Sequence, residues 1–165
     1  MTYQENYQKW LDFAELPAYL RDELVAMDEK TKEDAFYTNL EFGTAGMRGL
    51  IGAGTNRINI YVVRQATEGL AQLIDSKGEE AKKRGVAIAY DSRHFSPEFA
   101  FESAQVLAAH GIKSYVFESL RPTPELSFAV RHLHTFAGIM AVSYTHLDVY
   151  KRQILTLSNS FEECN

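Results

Sequence analysis

Three short apolar runs separated by helix-start signals constrain this chain most. VAIAY at 86–90 is five residues long and rich in strand-formers, too short for a buried helix. Residues 113–117 and 136–142 repeat that texture. Between the runs stand Ser96-Pro97-Glu98 and Thr123-Pro124-Glu125. Each reads as a helix start: a hydroxyl cap, a proline in the first turn and an acid near the positive end of the helix dipole. The first helix is predicted to run to about His110, closed by Gly111, and the second buries Leu126, Ala129, Val130 and Leu133. Strand–helix–strand–helix–strand predicts an α/β fold, a three-layer α/β/α domain with a mostly parallel sheet. Right-handed crossovers bring the carboxyl ends of all three strands to one edge, where open α/β sheets bind ligands. Just past those ends lie 91–94, 118–121 and 143–146, all polar.

Residues 5–40 read as two amphipathic helices divided by Pro17, with Trp10, Phe13, Leu16, Leu20, Leu24 and Met27 at helical spacing. The texture then changes to EFGTAGMRGLIGAGTNR at 41–57, where Gly43, Gly46, Gly49, Gly52 and Gly54 make five glycines in twelve residues. Two readings of this stretch stay open. Its backbone N–H groups could face an anion while Arg48 holds phosphate oxygens in a fork, or it is a glycine turn beside a surface arginine. It is neither a Walker loop nor a dinucleotide loop. A further helix follows, with Ile60, Val63, Thr67, Leu70 and Ile74 on one face, Asn56 or Asn59 as its cap and Gly78 at its end. In DSRHFSP, Asp91 and Arg93 could orient a substrate, or could pair with each other and cap the next helix. His94, His110, His132, His134 and His146 form no metal-like spacing.

The formal net charge of −5 argues against nucleic-acid or membrane partners, which need a basic surface. The single cysteine, Cys164, supports neither a disulfide framework nor a cysteine-based zinc site. No apolar signal core opens the chain and no run is long enough to span a bilayer, so cytoplasmic residence is the expectation.

LEFGTAGMRGLIGAGTNRINIYVVRQATEGLA resembles the opening motif of the α-D-phosphohexomutases, the phosphoglucomutase/phosphomannomutase family. VAIAYDSRHFSPEFA, HGIKSYVFESLRPTPELSFAVRHL and AGIM follow in the family's order. The resemblance implies a four-domain enzyme that interconverts hexose 1-phosphate and hexose 6-phosphate. A phosphoserine of the first domain donates to the sugar, and hexose 1,6-bisphosphate is the intermediate and activator. It implies Mg²⁺ bridging that phosphoserine and three aspartates of the second domain, so the main metal ligands lie outside this chain. Arg48 matches the family arginine near the phosphoserine and substrate. The implied partners are a phosphosugar and domains II–IV of the same enzyme.

After GIM the family continues to a TASHNP motif whose serine is the nucleophile. This chain reads AVSYTHLDVYKRQ from Ala141. Aligned without gaps, Tyr144 takes the nucleophile position and Ser143 falls one residue early. Three parts are therefore expected: a helical segment at 1–40, the family's domain I at 41–141, and a non-family tail at 142–165. The tail resembles the run-on end of a broken sequencing read, either artefactual or disordered. The chain alone is expected to be inactive and, with its inter-domain surfaces bare, prone to aggregate. The alternatives are a phosphomannomutase or phosphopentomutase parent, or a non-catalytic phosphate-binding module of the same fold.

Overall fold

The computed structural model describes residues 2–43, 46–145 and 151–159, with 142–145 and 151–159 as backbone alone. His146 and Cys164 lie outside the described residues. The elements are α1 (Tyr3–Asp12), α2 (Ala18–Ala26), α3 (Glu29–Phe36), β1 (Phe42–Gly43), β2 (Gly46–Leu50), α4 (Ile60–Ser76), α5 (Glu79–Arg84), β3 (Val86–Tyr90), α6 (Ser96–Ala109), β4 (Ser114–Val116), α7 (Thr123–His132), β5 (Ala137–Thr145) and β6 (Lys151–Asn159). No helix among the described residues is long and apolar enough to cross a membrane.

The sheet runs β1-β2-β6-β5-β3-β4. Its three-strand core is parallel, with β3 between β4 and β5. Antiparallel steps β5–β6, β6–β2 and β2–β1 extend it. Two successive reversals return β2 to the direction of β5, so β2, β3, β4 and β5 end on the same edge.

All five β3 residues are buried, as a strand covered on both faces requires. Val86, Ile88 and Tyr90 pack with Val63, Leu70 and Ile74 of α4 and with Phe99 and Leu107 of α6. Ala87 and Ala89 face Leu126 and Val130 of α7. Small residues line that second face, which lets α7 approach closely. A Cβ on Gly138 would lie 2.7 Å from Val130 Cγ2. The three-layer α/β/α arrangement therefore holds.

Several local expectations are refined. The N-terminal segment forms three helices rather than two. The second break comes at Asp28, whose side chain accepts from the Thr31 N–H at 2.8 Å and caps α3. α5, a single short helix, adds to the expected elements. Asn59, not Asn56, caps α4 by accepting from the Tyr61 and Val62 N–H groups, each at 3.1 Å. Ser96 does not cap α6. Phe95 holds the cap position with left-handed φ +66, and Ser96 turns its hydroxyl to Asp91.

A charged cluster ties α4, α5 and the end of α6 together. His110 Nδ1 meets Asp75 Oδ2 at 2.6 Å and its Nε2 meets Glu68 Oε2 at 3.0 Å. Lys82 Nζ reaches Asp75 Oδ1 at 2.9 Å. Hydrogen bonds from Asp75 and then Glu68 raise the His110 pKa above its ordinary 6.5. Its contribution is therefore complete below that value and disappears as pH rises through the raised folded one. Lys82 and then His110 lower Asp75, and Gln72 and then His110 lower Glu68. Those contributions disappear as pH falls through the lowered carboxylate values. The urea midpoint is thus expected to decline from pH 6 to 9 in the native chain, and His110→Asn to flatten that limb. A slope unchanged by the substitution would remove His110 as its source.

Candidate functional site

Arg48 sits exposed on β2, while its neighbour Met47 turns into the core at 2% exposure. Arg48 lines a cleft of about 500 Å³ with Asp34, Leu40, Gly49, Leu50, Asn56 and Arg57. The loop that follows bears on two of those glycines, Gly52 and Gly54. The Gly52 N–H donates to the Ile58 carbonyl at 3.1 Å, the Ala53 N–H to Glu23 Oε2 at 3.1 Å and the Asn56 N–H to the Ala35 carbonyl at 2.9 Å. Asn59 Nδ2 donates to the carbonyls of Gly52 and Gly54, both at 2.9 Å. The N–H groups of Gly52, Ala53 and Asn56 answer to protein acceptors, which for this part of the stretch favours the turn, one of the two readings left open. Gly54, at φ +131, is there because a Cβ would come within 2.6 Å of the Ala35 carbonyl oxygen.

Arg57 locks the same loop. It is 7% exposed and donates to the carbonyls of Asp34 and Asn56 and, at 2.5 Å, to Asp34 Oδ2. Sequence reasoning passed over Glu23, Asp34 and Arg57. Their partners are 22 or more residues distant, apart from the local Asn56 carbonyl, and charge at a helix surface carries no periodic signal.

Asp91 stands at the carboxyl end of β3, with its N–H donating to the Ala141 carbonyl at 3.3 Å. Its Oδ1 accepts from Ser96 Oγ at 2.6 Å and from the Arg93 N–H at 3.2 Å. Its Oδ2 lies 3.4 Å from Arg93 Nε. Asp91 and Arg93 therefore do pair and anchor the start of α6, one of the two readings open for them. Asp91 also borders a shallow hollow of about 250 Å³ with Ser92, Leu120, Arg121 and Pro122.

Strand register relates the two places. Met47, Leu155, Ala141 and Tyr90 form one row across β2, β6, β5 and β3. Arg48 and Asp91 each stand one residue beyond it, three strand spacings or roughly 14 Å apart. Both lie toward the carboxyl edge, but they border different hollows. Ser143 pairs with Gln153, which pairs with Gly49, a further step toward that edge; Tyr144 occupies the row of Arg152 and Leu50. Among the described residues, no group of three or more His, Cys, Asp or Glu is placed to hold a metal ion.

Residues 39–147 match the family described as phosphoglucomutase/phosphomannomutase, alpha/beta/alpha domain I.

The chain belongs to this family.

A phosphoglucomutase from Staphylococcus haemolyticus is 43% identical over 142 residues, covering 83% of this chain and 24% of that protein. One from Staphylococcus epidermidis is 39% identical over 131 residues, covering 79% and 23%. The chain thus spans about a quarter of the length of these relatives. Among solved structures, a Thermus thermophilus protein described as a putative phosphomannomutase matches with TM-score 0.62 at 26% identity, over 74% of this chain and 26% of that one. For a phosphoglucomutase/phosphomannomutase domain I, two features of this chain stand out. Helices α1–α3 precede the family match yet lock the loop behind Arg48, and the match continues past Ala141 to residue 147, beyond the end of β5.

Proposed function

We propose that this chain is the first domain of a phosphoglucomutase-type enzyme that interconverts hexose 1-phosphate and hexose 6-phosphate through a phosphoserine and hexose 1,6-bisphosphate. The observation that carries this reading is the family match over 39–147, with Arg48 and the end of β5 both at the carboxyl edge of the sheet. Arg48 would hold phosphate oxygens, and the Asp91–Arg93 pair would shape the adjoining edge. Ser143 is the serine nearest the nucleophile's place. Tyr144 takes that place in the alignment, and a phenol cannot simply replace the serine. Tyr144 is also what favours the second reading, a non-catalytic phosphate-binding module.

Mg²⁺ and domains II–IV are proposed for the parent enzyme, whose residence we take to be cytoplasmic. Among the described residues no group of three or more His, Cys, Asp or Glu is placed to hold the ion, and its main ligands are proposed to lie in domain II. Although the family match runs to residue 147, residues 142–165 are proposed to be foreign to the family, because the TASHNP continuation is missing from them. The 165-residue chain should show no turnover in a coupled assay with glucose 1-phosphate and glucose 1,6-bisphosphate. A longer protein that joins residues 1–141 to an in-frame TASHNP motif and the remaining domains should turn over, and mass spectrometry should find its phosphoserine. Conversion by the 165-residue chain would refute the proposed inactivity, and a longer protein with neither turnover nor phosphoserine would refute the mutase reading. Rates with glucose 1-phosphate, mannose 1-phosphate and ribose 1-phosphate would separate the sugar alternatives.

A further inference from the structure

A cavity of about 440 Å³ lies between α2 and the carboxyl edge of the sheet, apart from the Arg48 and Asp91 hollows. Its volume falls within the range of small-molecule sites. Its deepest lining residues are apolar: Leu20 of α2, Ile58 before α4 and Phe99 of α6, each 1% exposed. The polar side chain at that depth, Asn59, is fully engaged. Its Nδ2 donates to the carbonyls of Gly52 and Gly54, and its Oδ1 accepts from the Tyr61 and Val62 N–H groups. The backbone of the inner wall is committed as well. The Gly52 N–H donates to the Ile58 carbonyl at 3.1 Å, and the Ile58 N–H to the Leu50 carbonyl at 2.7 Å.

These commitments limit what the inner cavity accepts. A water molecule needs about two to four polar partners to be held well, and the inner side chains keep none in reserve. Poorly held water is displaced with a gain in affinity by an apolar group. The wall also carries apolar surface outward. The Phe95 ring lies 5.9 Å from Phe99 and 5.8 Å from Tyr19, so that surface runs from the core to a rim where Tyr19 is 47% exposed. Phe95 holds φ +66, a left-handed conformation that costs a non-glycine residue energy and that clusters at ligand sites.

The rim sets the other end of the occupant. His94 and Glu23 stand there, both exposed. Glu23 is not a free anion. Its Oε2 accepts from the Ala53 N–H at 3.1 Å, and it makes a further interaction besides. A cation at the rim would give up water for a carboxylate already engaged, and an anion would meet its negative charge. A hydroxyl avoids both costs and keeps its hydrogen bonds at the wet mouth of the cavity.

We infer that this cavity binds a small neutral molecule with an apolar ring as its body and a hydroxyl group at its outer end. None of the lining residues has a part in the proposed mutase chemistry, so the inference stands apart from it.

The test compares three probes of similar shape and different charge: 2-phenylethanol, phenethylammonium and 3-phenylpropionate. Each is titrated into the 165-residue chain at pH 8, above the range in which an ordinary imidazole holds a proton. Binding is followed by saturation-transfer difference NMR and located by the amide shifts of Ile51, Gly52 and Phe95. The alcohol is expected to bind more tightly than either ion by about tenfold or more. Ile51→Trp puts a larger side chain into the cavity wall, and is expected to weaken the alcohol by about tenfold or more while the dispersed amide spectrum of a folded chain remains. Equal affinities in the native chain, tighter binding of either ion, binding of none of the probes, shifts that miss the cavity amides, or undiminished binding by a folded Ile51→Trp chain would each overturn the inference. Should Ile51→Trp fail to fold, the comparison of probes on the native chain decides alone.

Discussion

Gly54→Ala is expected to lower the stability of the chain by about 3 kcal/mol or more. Two costs add. Gly54 sits at φ +131, where an L side chain is strained by on the order of 1–3 kcal/mol. The new Cβ would also stand 2.6 Å from the Ala35 carbonyl oxygen and 2.9 Å from the Ala35 Cβ. Neither neighbour is a flexible side-chain end, so backbone must move, and overpacking of that kind costs about 1–3 kcal/mol more. What moves matters as much as the cost. The Ala35 carbonyl is the acceptor of the Asn56 N–H, and the Gly54 carbonyl is an acceptor of Asn59 Nδ2. Asn59 in turn caps α4. A methyl group at 54 therefore loosens the α3 contact and the α4 cap together. The melting midpoint should fall by roughly 6–12 °C. Gly69→Ala is the control, since a Cβ at this α4 glycine meets nothing within 4 Å. It should leave the midpoint unchanged or raise it slightly, as alanine is the better helix former. Equal midpoints for Gly54→Ala and the native chain would show that the α3–loop contact is soft.

The contrast between those two glycines shows where the sequence was legible and where it was not. The parallel core could be read because each of its signals is local. The β3 run VAIAY is apolar throughout, and proline lies at the first turn of both α6 and α7. The Gly-rich segment left two readings open because glycine density means close backbone approach without saying what approaches. An anion and the carbonyl of Ala35 ask the same of the chain. Only the fold shows that the approaching groups are Glu23, Asp34 and Ala35, drawn from helices that the family match leaves out. Ser96 is a similar case. Its place before proline is a good cap signal, but Asp91 at the end of β3 offers its hydroxyl a charged acceptor at 2.6 Å. That bond is stronger than a neutral capping bond and leaves the cap to Phe95. At the candidate site, the strand ends point Asp91 and Ser143 to the carboxyl edge and the family resemblance adds Arg48, and register places all three there. Their division between two hollows could not be read, because it depends on β6 being inserted between β2 and β5.

Removing residues 1–38 is expected to abolish cooperative unfolding, although the deletion spares every residue of the family match. Leu20 and Leu24 of α2, Ala35 and Phe36 of α3 and the connecting residues Leu16 and Met27 form one apolar cluster, Tyr7 and Trp10 of α1 pack against it, and the loop contributes Ala53 at 0% exposure. Tyr61 of α4 packs on the same cluster through Trp10 and Phe13, with ring centroids 5.5 and 5.7 Å apart. Deletion strips these partners and takes the acceptors from the Ala53 and Asn56 N–H groups and the carboxylate from Arg57. It also removes the α2 wall of the cavity bordered by Ile58 and Phe99, two core residues that are each 1% exposed. Uncovering two such side chains, even in part, costs about 2–4 kcal/mol. Losing the loop anchors and the helical cluster besides would use up a total stability of on the order of 5–15 kcal/mol. The deleted chain should keep much of its far-ultraviolet signal, lose its dispersed amide spectrum and bind a hydrophobic dye, as a collapsed state without fixed packing does. Because the only tryptophan, Trp10, leaves with the deleted helices, tyrosine near-ultraviolet signal and amide dispersion are the readouts to use. A deleted chain with a sharp urea transition and an undiminished m-value would make the helices an appendage. Loss of that transition would make them the support that fixes the loop behind Arg48, and would extend the folding unit of this domain upstream of the family match.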